Sequence, residues 1–244
     1  MRKTVDILGV PVDSVTMEEA VGRVTSFIAE EGVHTVYTPN AEIMMAAQRD
    51  AKLKDILKSA DLLVADGAGV VLASRLLGRS VPEKVSGVDL LMQCFKALSI
   101  KHSRFYLLGS RKGVAEAAAQ NMERDYPGIE IAGCMDGYFS EAEEEEIINR
   151  INASNTDILL VALGAPRQEK WIDKNKGRLN AKVCIGVGGS LDILSGKTEL
   201  APAFFRRNGL EWLFRLYKEP RRARRMLDLP RFVIRVIWTR ILGK

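Results

Sequence analysis

The chain has 244 residues, 47% of them hydrophobic and 27% charged, so it can bury a sizeable core and is not an intrinsically disordered protein. Its three cysteines lie far apart without a CxxC pair, which argues against a disulfide framework or a cysteine zinc site and favours a reducing compartment. The net charge is +5, no apolar run reaches the roughly 18 residues that span a bilayer, and the first residues show no signal-peptide pattern.

Runs that predict β-strands alternate with helical patterns along most of the chain. In chain order, the predicted strands are VDILGVPVD, HTVYTPN, DLLVAD, RFYLLGS, IEIAGCMDGYF, DILLVALG and VCIGVGG. Apolar residues at helical spacing predict helices between them, and two helices begin with a capping box, at Thr16 with Glu19 and at Ser140 with Glu143. Strands that alternate with helices predict an α/β fold with a mostly parallel sheet sandwiched by helices.

Glycine and small polar residues follow the last six predicted strands. The segments are TPN, ADG, LGS, DGY, LGAPRQE and GVGGSLD. In parallel sheets ligands bind at the carboxyl ends of the strands, where glycine lets backbone N–H groups approach an anion closely. We therefore expect a phosphate-bearing ligand at this edge. The chain contains no P-loop, and Leu191 stands where a dinucleotide fingerprint needs its third glycine, so the fold is predicted to be Rossmann-like but non-standard.

Several polar residues at these strand ends have two interpretations. Asp66 either caps the helix that begins near Ala68, a position that aspartate favours, or takes part in chemistry. The segment TPN consists of usual turn residues. Gln168 either lines a pocket or is an exposed first-turn residue of a helix that Pro166 starts. The residue types alone leave these alternatives open.

The C-terminal fifth of the chain carries the excess of positive charge. Residues 197–244 hold 13 Lys/Arg and 4 Asp/Glu, a net charge of +9, which leaves −4 for residues 1–196. Near the end, Val233, Val236 and Ile237 approximate an apolar helical face with arginines around it. Basic amphipathic helices with aromatic residues are typical of anionic membrane surfaces. We predict a core over 1–196 and a basic amphipathic, membrane-associating helical appendage over 197–244, with a nucleic-acid surface or a dimer interface as alternatives.

The strand-end segments, in their order and spacing, resemble those of a known family. TPNAE, ADLLVADGAGV, KVSGVDL, FYLLGS, LGAPRQEKWI and GVGGSLDILSG, with the tail APAFFRRNGLEWLFRLYKEPRR, are similar to the WecG/TagA/CpsF glycosyltransferases, glycosyltransferase family 26. The resemblance covers nearly the whole chain and is greatest to the teichoic-acid branch. It implies inverting transfer of N-acetylmannosamine from its UDP derivative to the 4-hydroxyl of N-acetylglucosamine on undecaprenyl diphosphate, by a peripheral protein at the cytoplasmic face of the cell membrane.

The resemblance also implies roles for individual residues. An inverting transfer needs a base for the acceptor hydroxyl, and Asp66 in the DG motif would be that base. The residues implied to bind the sugars or the acceptor diphosphate are Thr38, Asn40, Lys84, Gln168, Arg215, Arg222 and Arg225. Those implied to bind UDP are Gly109, Gly164, Gly186, Gly188, Gly189 and Asp192. Lys84 stands where the family usually has arginine, and lysine keeps the charge but loses the bidentate geometry.

No metal or cofactor is expected, because the chain has no DxD motif and its two histidines, His34 and His102, are isolated. Cationic side chains or backbone N–H groups would then offset the charge of the leaving UDP. Alternative functions are transfer of N-acetylmannosaminuronic acid and non-catalytic nucleotide binding at a membrane. A Rossmann oxidoreductase is disfavoured by the missing glycine. Self-association through the apolar tail is a further expectation, whereas nucleic-acid binding is not expected.

Overall fold

The computed structural model describes residues 2–220 and 223–242, without the side chain of Arg224. Its strands are β1 Thr4–Ile7, β2 Val10–Asp13, β3 His34–Tyr37, β4 Leu62–Leu63, β5 Arg104–Gly109, β6 Glu130–Met135, β7 Ile158–Ala162 and β8 Val183–Gly186. Its α-helices are α1 Met17–Phe27, α2 Ala41–Ala47, α3 Ala51–Lys58, α4 Ala68–Leu76, α5 Gly87–Ser99, α6 Val114–Asp125, α7 Glu144–Ala153, α8 Arg167–Asn175, α9 Ser190–Leu194, α10 Ala203–Arg207, α11 Glu211–Lys218, α12 Ala223–Met226 and α13 Asp228–Leu242.

One six-stranded sheet forms the centre of the molecule. Its strands follow the order β4-β3-β8-β7-β5-β6, and every neighbouring pair is parallel. The carboxyl ends of all six strands therefore lie at the same edge of the sheet. The predicted α/β fold with a parallel sheet is confirmed, as are both predicted capping boxes, Thr16 with Glu19 and Ser140 with Glu143.

Helices cover both faces of the sheet because successive strand residues point to opposite sides. In β7, Leu159 and Val161 pack into one core cluster with residues of α2, α3, α4, α7, α8 and α13. Ile158 and Leu160 pack into a second cluster with residues of α1, α5, α6 and α9. All four of these side chains are fully buried, so both faces of the central strand lie within the core.

The first predicted strand, VDILGVPVD, is wrong as a single strand. The structure divides it into the antiparallel pair β1 and β2, with Ile7 opposite Val10. The two residues of the turn, Leu8 and Gly9, have φ values of 57° and 82°. A two-residue hairpin turn of type I′ needs positive φ at both central positions, and a leucine there gives little sequence signal. The Asp6 carboxylate accepts a hydrogen bond from the Gly9 N–H at 2.8 Å, which fixes the turn.

The C-terminal helices contact the core. On α13, Phe232 and Val236 are 1% and 0% exposed and belong to the first core cluster. The Asp228 carboxylate pairs with the Arg49 guanidinium at 2.7 Å. The division of the chain at residue 196 stays a prediction, and the segment that follows it packs on the core. Within residues 2–220 and 223–242, every helix is too short or too polar to span a bilayer.

Candidate active site

Asp66 lies just after β4, at the edge where all six strands of the central sheet end. Its backbone N–H donates to the Pro39 carbonyl of the neighbouring β3 end at 3.3 Å. The next residue, Gly67, has a φ of 90° and is the N-cap residue of α4, which has no side-chain cap. The alternative interpretation of Asp66 as a helix cap is therefore wrong. The carboxylate is free of that local role and lies between the ends of β3 and β4 and the start of α5.

The environment of Asp66 makes it a weaker acid than a solvated aspartate. Its pKa is raised from 3.8 to about 6, chiefly by burial and also by the nearby Glu211 carboxylate. The Arg215 and Lys84 cations and a backbone interaction with Gly87 oppose this increase. A carboxyl group with a pKa near 6 is ionised at neutral pH and is still basic enough to accept a proton, as a general base requires.

Thr38 and Asn40 lie beside Asp66, and the structure gives each a local packing role. A Cβ atom at Gly87 would lie 2.9 Å from the Thr38 Oγ1 atom, so this hydroxyl is pressed against the first turn of α5. Asn40 is the N-cap of α2, and its Oδ1 accepts from the Ile43 N–H at 3.1 Å. The structure therefore shows a helix cap at Asn40, where the residue types of TPN had indicated a turn. Substrate contacts of Thr38 and Asn40 stay predictions.

Lys84 joins the site to the C-terminal segment. Its ammonium group donates to the Glu211 carboxylate at 2.5 Å and to the Arg206 carbonyl at 3.2 Å. Arg206 in turn donates to the Asp89 carboxylate at 2.8 Å. These contacts of Lys84 and Arg206 together fix the α10–α11 turn over the site, although Lys84 and Glu211 lie 127 residues apart in the sequence.

A polar cavity of about 740 Å³ opens at the carboxyl ends of β5, β6 and β7. Its polar walls come from strand ends and from the C-terminal segment, and they include Ser110, Tyr138, Asp192, Arg206, Glu211 and Arg215. The volume lies in the range of about 300–1,000 Å³ that is typical of small-molecule pockets. The Asp192 carboxylate is held by the Ser110 hydroxyl at 3.1 Å and by Arg111 at 3.3 Å.

The three tail arginines predicted to bind substrate have different placements. Arg215 lines the polar cavity and lowers the pKa of Asp66. Arg225 pairs with the Glu42 carboxylate on α2 at 3.0 Å. Arg222 lies outside the described residues. Sequence reasoning missed Arg206 and Glu211, because only long-range packing brings them to the site.

Four of the five glycines predicted to bind UDP divide into two groups by the space around them. A Cβ atom at Gly109 would lie 2.5 Å from the Ala162 backbone, and one at Gly186 would lie 2.9 Å from the Gln168 amide. These two positions are glycine because protein atoms pack against them. Nothing lies within 4 Å of a Cβ atom placed at Gly164 or Gly189. These open positions fit the close approach of a ligand.

Gln168 supports the glycine-rich turn after β8. The interpretation of Gln168 as an exposed first-turn residue is wrong, since it is only 4% exposed. Its Oε1 accepts from the Gly188 N–H at 3.0 Å, and its Nε2 donates to the Glu169 carboxylate at 2.9 Å. Glu169 is 2% exposed, and its Oε2 has no hydrogen-bond partner in the described part of the chain. Burial raises the pKa of this carboxyl group. Glu169 is a second buried residue of the site that sequence reasoning missed.

Among the described residues, no cluster of three or more histidine, cysteine, aspartate or glutamate side chains is placed to hold a metal ion. Arg215 and Lys84 supply positive charge beside Asp66, and Arg206 and Arg215 supply it at the wall of the polar cavity. The arrangement therefore combines a weakly acidic carboxyl group, a polar cavity and several fixed positive charges. Such a combination suits a reaction in which a proton is removed at one atom while negative charge develops at another.

Comparison with known proteins identifies the relatives of this chain. Residues 5–244 match the model of the glycosyl transferase WecG/TagA/CpsF family. A protein of Bacillus spizizenii is 37% identical over 213 residues, which cover 87% of this chain and 82% of the relative. A protein of Staphylococcus aureus strain MRSA252 is 33% identical over 234 residues, which cover 95% of this chain and 91% of the relative. Both relatives are named N-acetylglucosaminyldiphosphoundecaprenol N-acetyl-beta-D-mannosaminyltransferase.

Proposed function

The chain belongs to the WecG/TagA/CpsF family of glycosyltransferases, and on this premise we propose that it transfers N-acetylmannosamine from UDP-N-acetylmannosamine to N-acetylglucosamine on undecaprenyl diphosphate. The names of the two relatives specify this sugar and this acceptor. The product would be an early intermediate of the wall teichoic acid linkage unit. The observation that carries the proposal is the partly buried Asp66, whose pKa is raised to about 6 and which interacts with Arg215 and Glu211 on the wall of the polar cavity.

In the proposed reaction, the ionised Asp66 carboxylate accepts the proton of the acceptor 4-hydroxyl. The 4-hydroxyl oxygen of the acceptor then attacks the anomeric carbon of the donor from the face opposite UDP. The new glycosidic bond forms as the bond between the anomeric carbon and the β-phosphate oxygen breaks, and the electron pair leaves with UDP. The configuration at the anomeric carbon is therefore inverted. A positioned base of this kind contributes about 10²–10⁴-fold to the rate.

The leaving UDP takes on negative charge, which positive side chains and backbone N–H groups stabilise. Arg215 on the wall of the polar cavity supplies one such charge. Gly164 and Gly189 leave room for a diphosphate to approach the turns after β7 and β8. Asp192, which the Ser110 hydroxyl fixes, faces the same cavity and would accept a hydrogen bond from the ribose or the uracil.

The direct test is an assay of UDP release with UDP-N-acetylmannosamine and a lipid-linked GlcNAc-diphosphate. UDP-N-acetylmannosaminuronic acid serves as the comparison donor, and the product is analysed for a β-1,4 linkage. We expect release only when donor and acceptor are both present, and faster turnover with the uncharged donor. EDTA should leave the rate unchanged. Activity that EDTA abolishes and magnesium or manganese restores would contradict the metal-free mechanism.

The C-terminal segment has features of a membrane-docking surface. On α13, Ile234, Trp238 and Ile241 are 56%, 59% and 72% exposed, with arginines next to them. Apolar and basic residues together bind anionic lipid surfaces. Ile241→Asp should reduce cosedimentation with phosphatidylglycerol vesicles. Ile100→Asp, at an isolated position that is 83% exposed, should not. If both variants bind the vesicles equally, α13 does not contact the membrane.

A further inference from the structure

A second cavity, of about 870 Å³, lies on the other side of the α10–α11 turn from the polar cavity. Its walls are mostly apolar and come from α4, from the α10–α11 turn and from the helices that follow. They include Val71, Leu72, Trp212, Leu229, Phe232 and Val233. We refer to this cavity as the apolar groove. Leu72 and Trp212 are 45% and 40% exposed and line the same cavity, so exposed apolar surface is concentrated there.

The apolar groove begins beside the proposed base. Ala68 and Gly69, in the first turn of α4, form part of its wall, and Asp66 lies just before that turn. A Cβ atom at Gly209 would lie 2.5 Å from the Ala68 side chain, so the α10–α11 turn packs directly on the start of α4. A ligand in the apolar groove would therefore have one end close to the Asp66 carboxylate.

Positive charge is concentrated along the apolar groove. Arg75 and Arg207 line it and form no ion pair with any residue of the described chain. Lys84 and Arg206 also line it, but their charges are offset by Glu211 and Asp89. The acidic Glu83 on the wall accepts a hydrogen bond from the Met17 N–H. The two uncompensated guanidinium groups complement a diphosphate, which arginine binds well.

An apolar track connects the groove with the exposed end of α13. Val233 lies in the groove wall, and Ile237 and Ile241 follow at intervals of four residues on the same helical face. Their exposed fractions are 41% for Ile237 and 72% for Ile241. At a rise of 1.5 Å per residue, the eight residues from 233 to 241 span about 12 Å. The track leads outward from the groove along the helix proposed to contact the membrane.

We propose that the apolar groove binds the diphosphate-linked end of the polyprenyl acceptor, with Arg75 and Arg207 at the diphosphate and Leu72 and Trp212 against the first isoprene units. This inference rests on the proposed function, since it identifies where the acceptor lipid of that reaction binds. The groove is too small for a whole undecaprenyl chain, so the remainder stays in the bilayer beside α13. The polar cavity is then left for the UDP-sugar.

The test compares two acceptors in one detergent, without vesicles, so that membrane docking does not affect the result. One acceptor is GlcNAc-diphosphate-undecaprenol, and the other carries a methyl group in place of the lipid. Leu72→Asn, which adds no charge beside Arg75, should raise KM for the undecaprenyl acceptor about tenfold, the scale of one lost side-chain contact with buried lipid, and leave kcat/KM for the methyl acceptor unchanged. Ile100→Asn is the matched control and should change neither value.

The arginines are tested with the same pair of acceptors. Arg75→Gln and Arg207→Gln should each raise KM for both acceptors roughly tenfold, because both acceptors carry the diphosphate. KM for the UDP-sugar should not change. Arg79→Gln, at an exposed position just beyond α4 that is outside the groove wall, is the matched control. Circular dichroism and unfolding midpoints establish that each variant is folded.

The outcomes separate this inference from the proposed function. If the wild-type protein uses both acceptors with the same KM, or if Leu72→Asn affects both equally, the groove does not bind the lipid and the transferase function still stands. If the arginine variants raise KM for the UDP-sugar instead, the groove binds the donor and the inference is wrong. If the wild-type protein transfers sugar to neither acceptor, the proposed function fails, and the inference fails with it.

Discussion

Replacing Asp66 with asparagine separates a catalytic role from a structural one, because the two roles predict opposite changes in stability. Asparagine keeps the size and the hydrogen-bonding capacity of the side chain but cannot accept the acceptor proton. We expect kcat to fall by about 10²–10⁴-fold, the usual contribution of a general base. We also expect the variant to be more stable than the wild type at pH 7, because it no longer buries a charge.

The pKa of Asp66 sets the size of this stability change. Its pKa rises from 3.8 to about 6 on folding, so the folded state binds the proton more tightly than the unfolded state. The unfavourable contribution is therefore absent below pH 3.8, develops as the pH rises from 3.8 to 6, and is complete above pH 6. One pKa unit corresponds to about 1.36 kcal/mol, which gives an upper limit of about 3 kcal/mol. Because the residue is only partly buried, we expect about 1–2 kcal/mol.

The assay is urea unfolding at pH 7 and at pH 4, together with turnover at pH 7. The variant should be stabilised at pH 7 and should lose that advantage at pH 4. Asp192→Asn is the matched control, since its carboxylate accepts from Ser110 and Arg111 and its loss should not stabilise the protein. An Asp66→Asn variant that is destabilised at pH 7, or that retains near-normal turnover, would refute the assignment of Asp66 as a buried base.

Three further predictions concern the surroundings of Asp66. The pH profile of kcat/KM should have an acidic limb with an apparent pKa near 6, because the base must be ionised, and a limb near pH 4 would contradict the raised pKa. Glu211→Gln should shift this limb to lower pH, because it removes a nearby negative charge. Lys84→Met should shift the limb to higher pH, because it removes a nearby positive charge. If neither variant shifts the limb, these charges do not act on the base. Glu169→Ala should release the Gln168 amide and raise KM for the UDP-sugar about two- to tenfold, and Glu169→Gln should restore the wild-type KM. An equal increase in KM for both variants would exclude this positioning role.

The sequence predicted the features that depend on local pattern. Strands and helices were predicted from periodicity, and the positions of the strand ends followed from them. In a parallel sheet those ends share one edge, so Asp66 and Gln168 could be assigned to one region before the structure was known. The hairpin turn at Leu8 and Gly9 could not be predicted, because a leucine with positive φ is decided by the pairing of the flanking strands.

The site residues that sequence reasoning missed depend on contacts between distant segments. Glu211 reaches the site through its ion pair with Lys84, and nothing in the segment GLEWL indicates that partner. The family resemblance implied that Gly109 and Gly186 bind UDP, and that role stays a prediction. The structure shows that Ala162 and Gln168 occupy the space where their Cβ atoms would be. A glycine pattern alone does not distinguish room for a ligand from room for the protein.

The chemistry of Asp66 depends on the C-terminal segment as much as on the sheet. Burial is the main cause of the raised pKa, and two of the charges that modify it, Glu211 and Arg215, belong to α11. The same segment supplies Arg206, which lines both the polar cavity and the apolar groove. Because α11 carries charges that modify the pKa of the proposed base, and α10 and α11 separate the two cavities, their placement on the core affects the base and both cavities. Substitutions that loosen the Lys84–Glu211 contact should therefore alter proton transfer and both substrate cavities together.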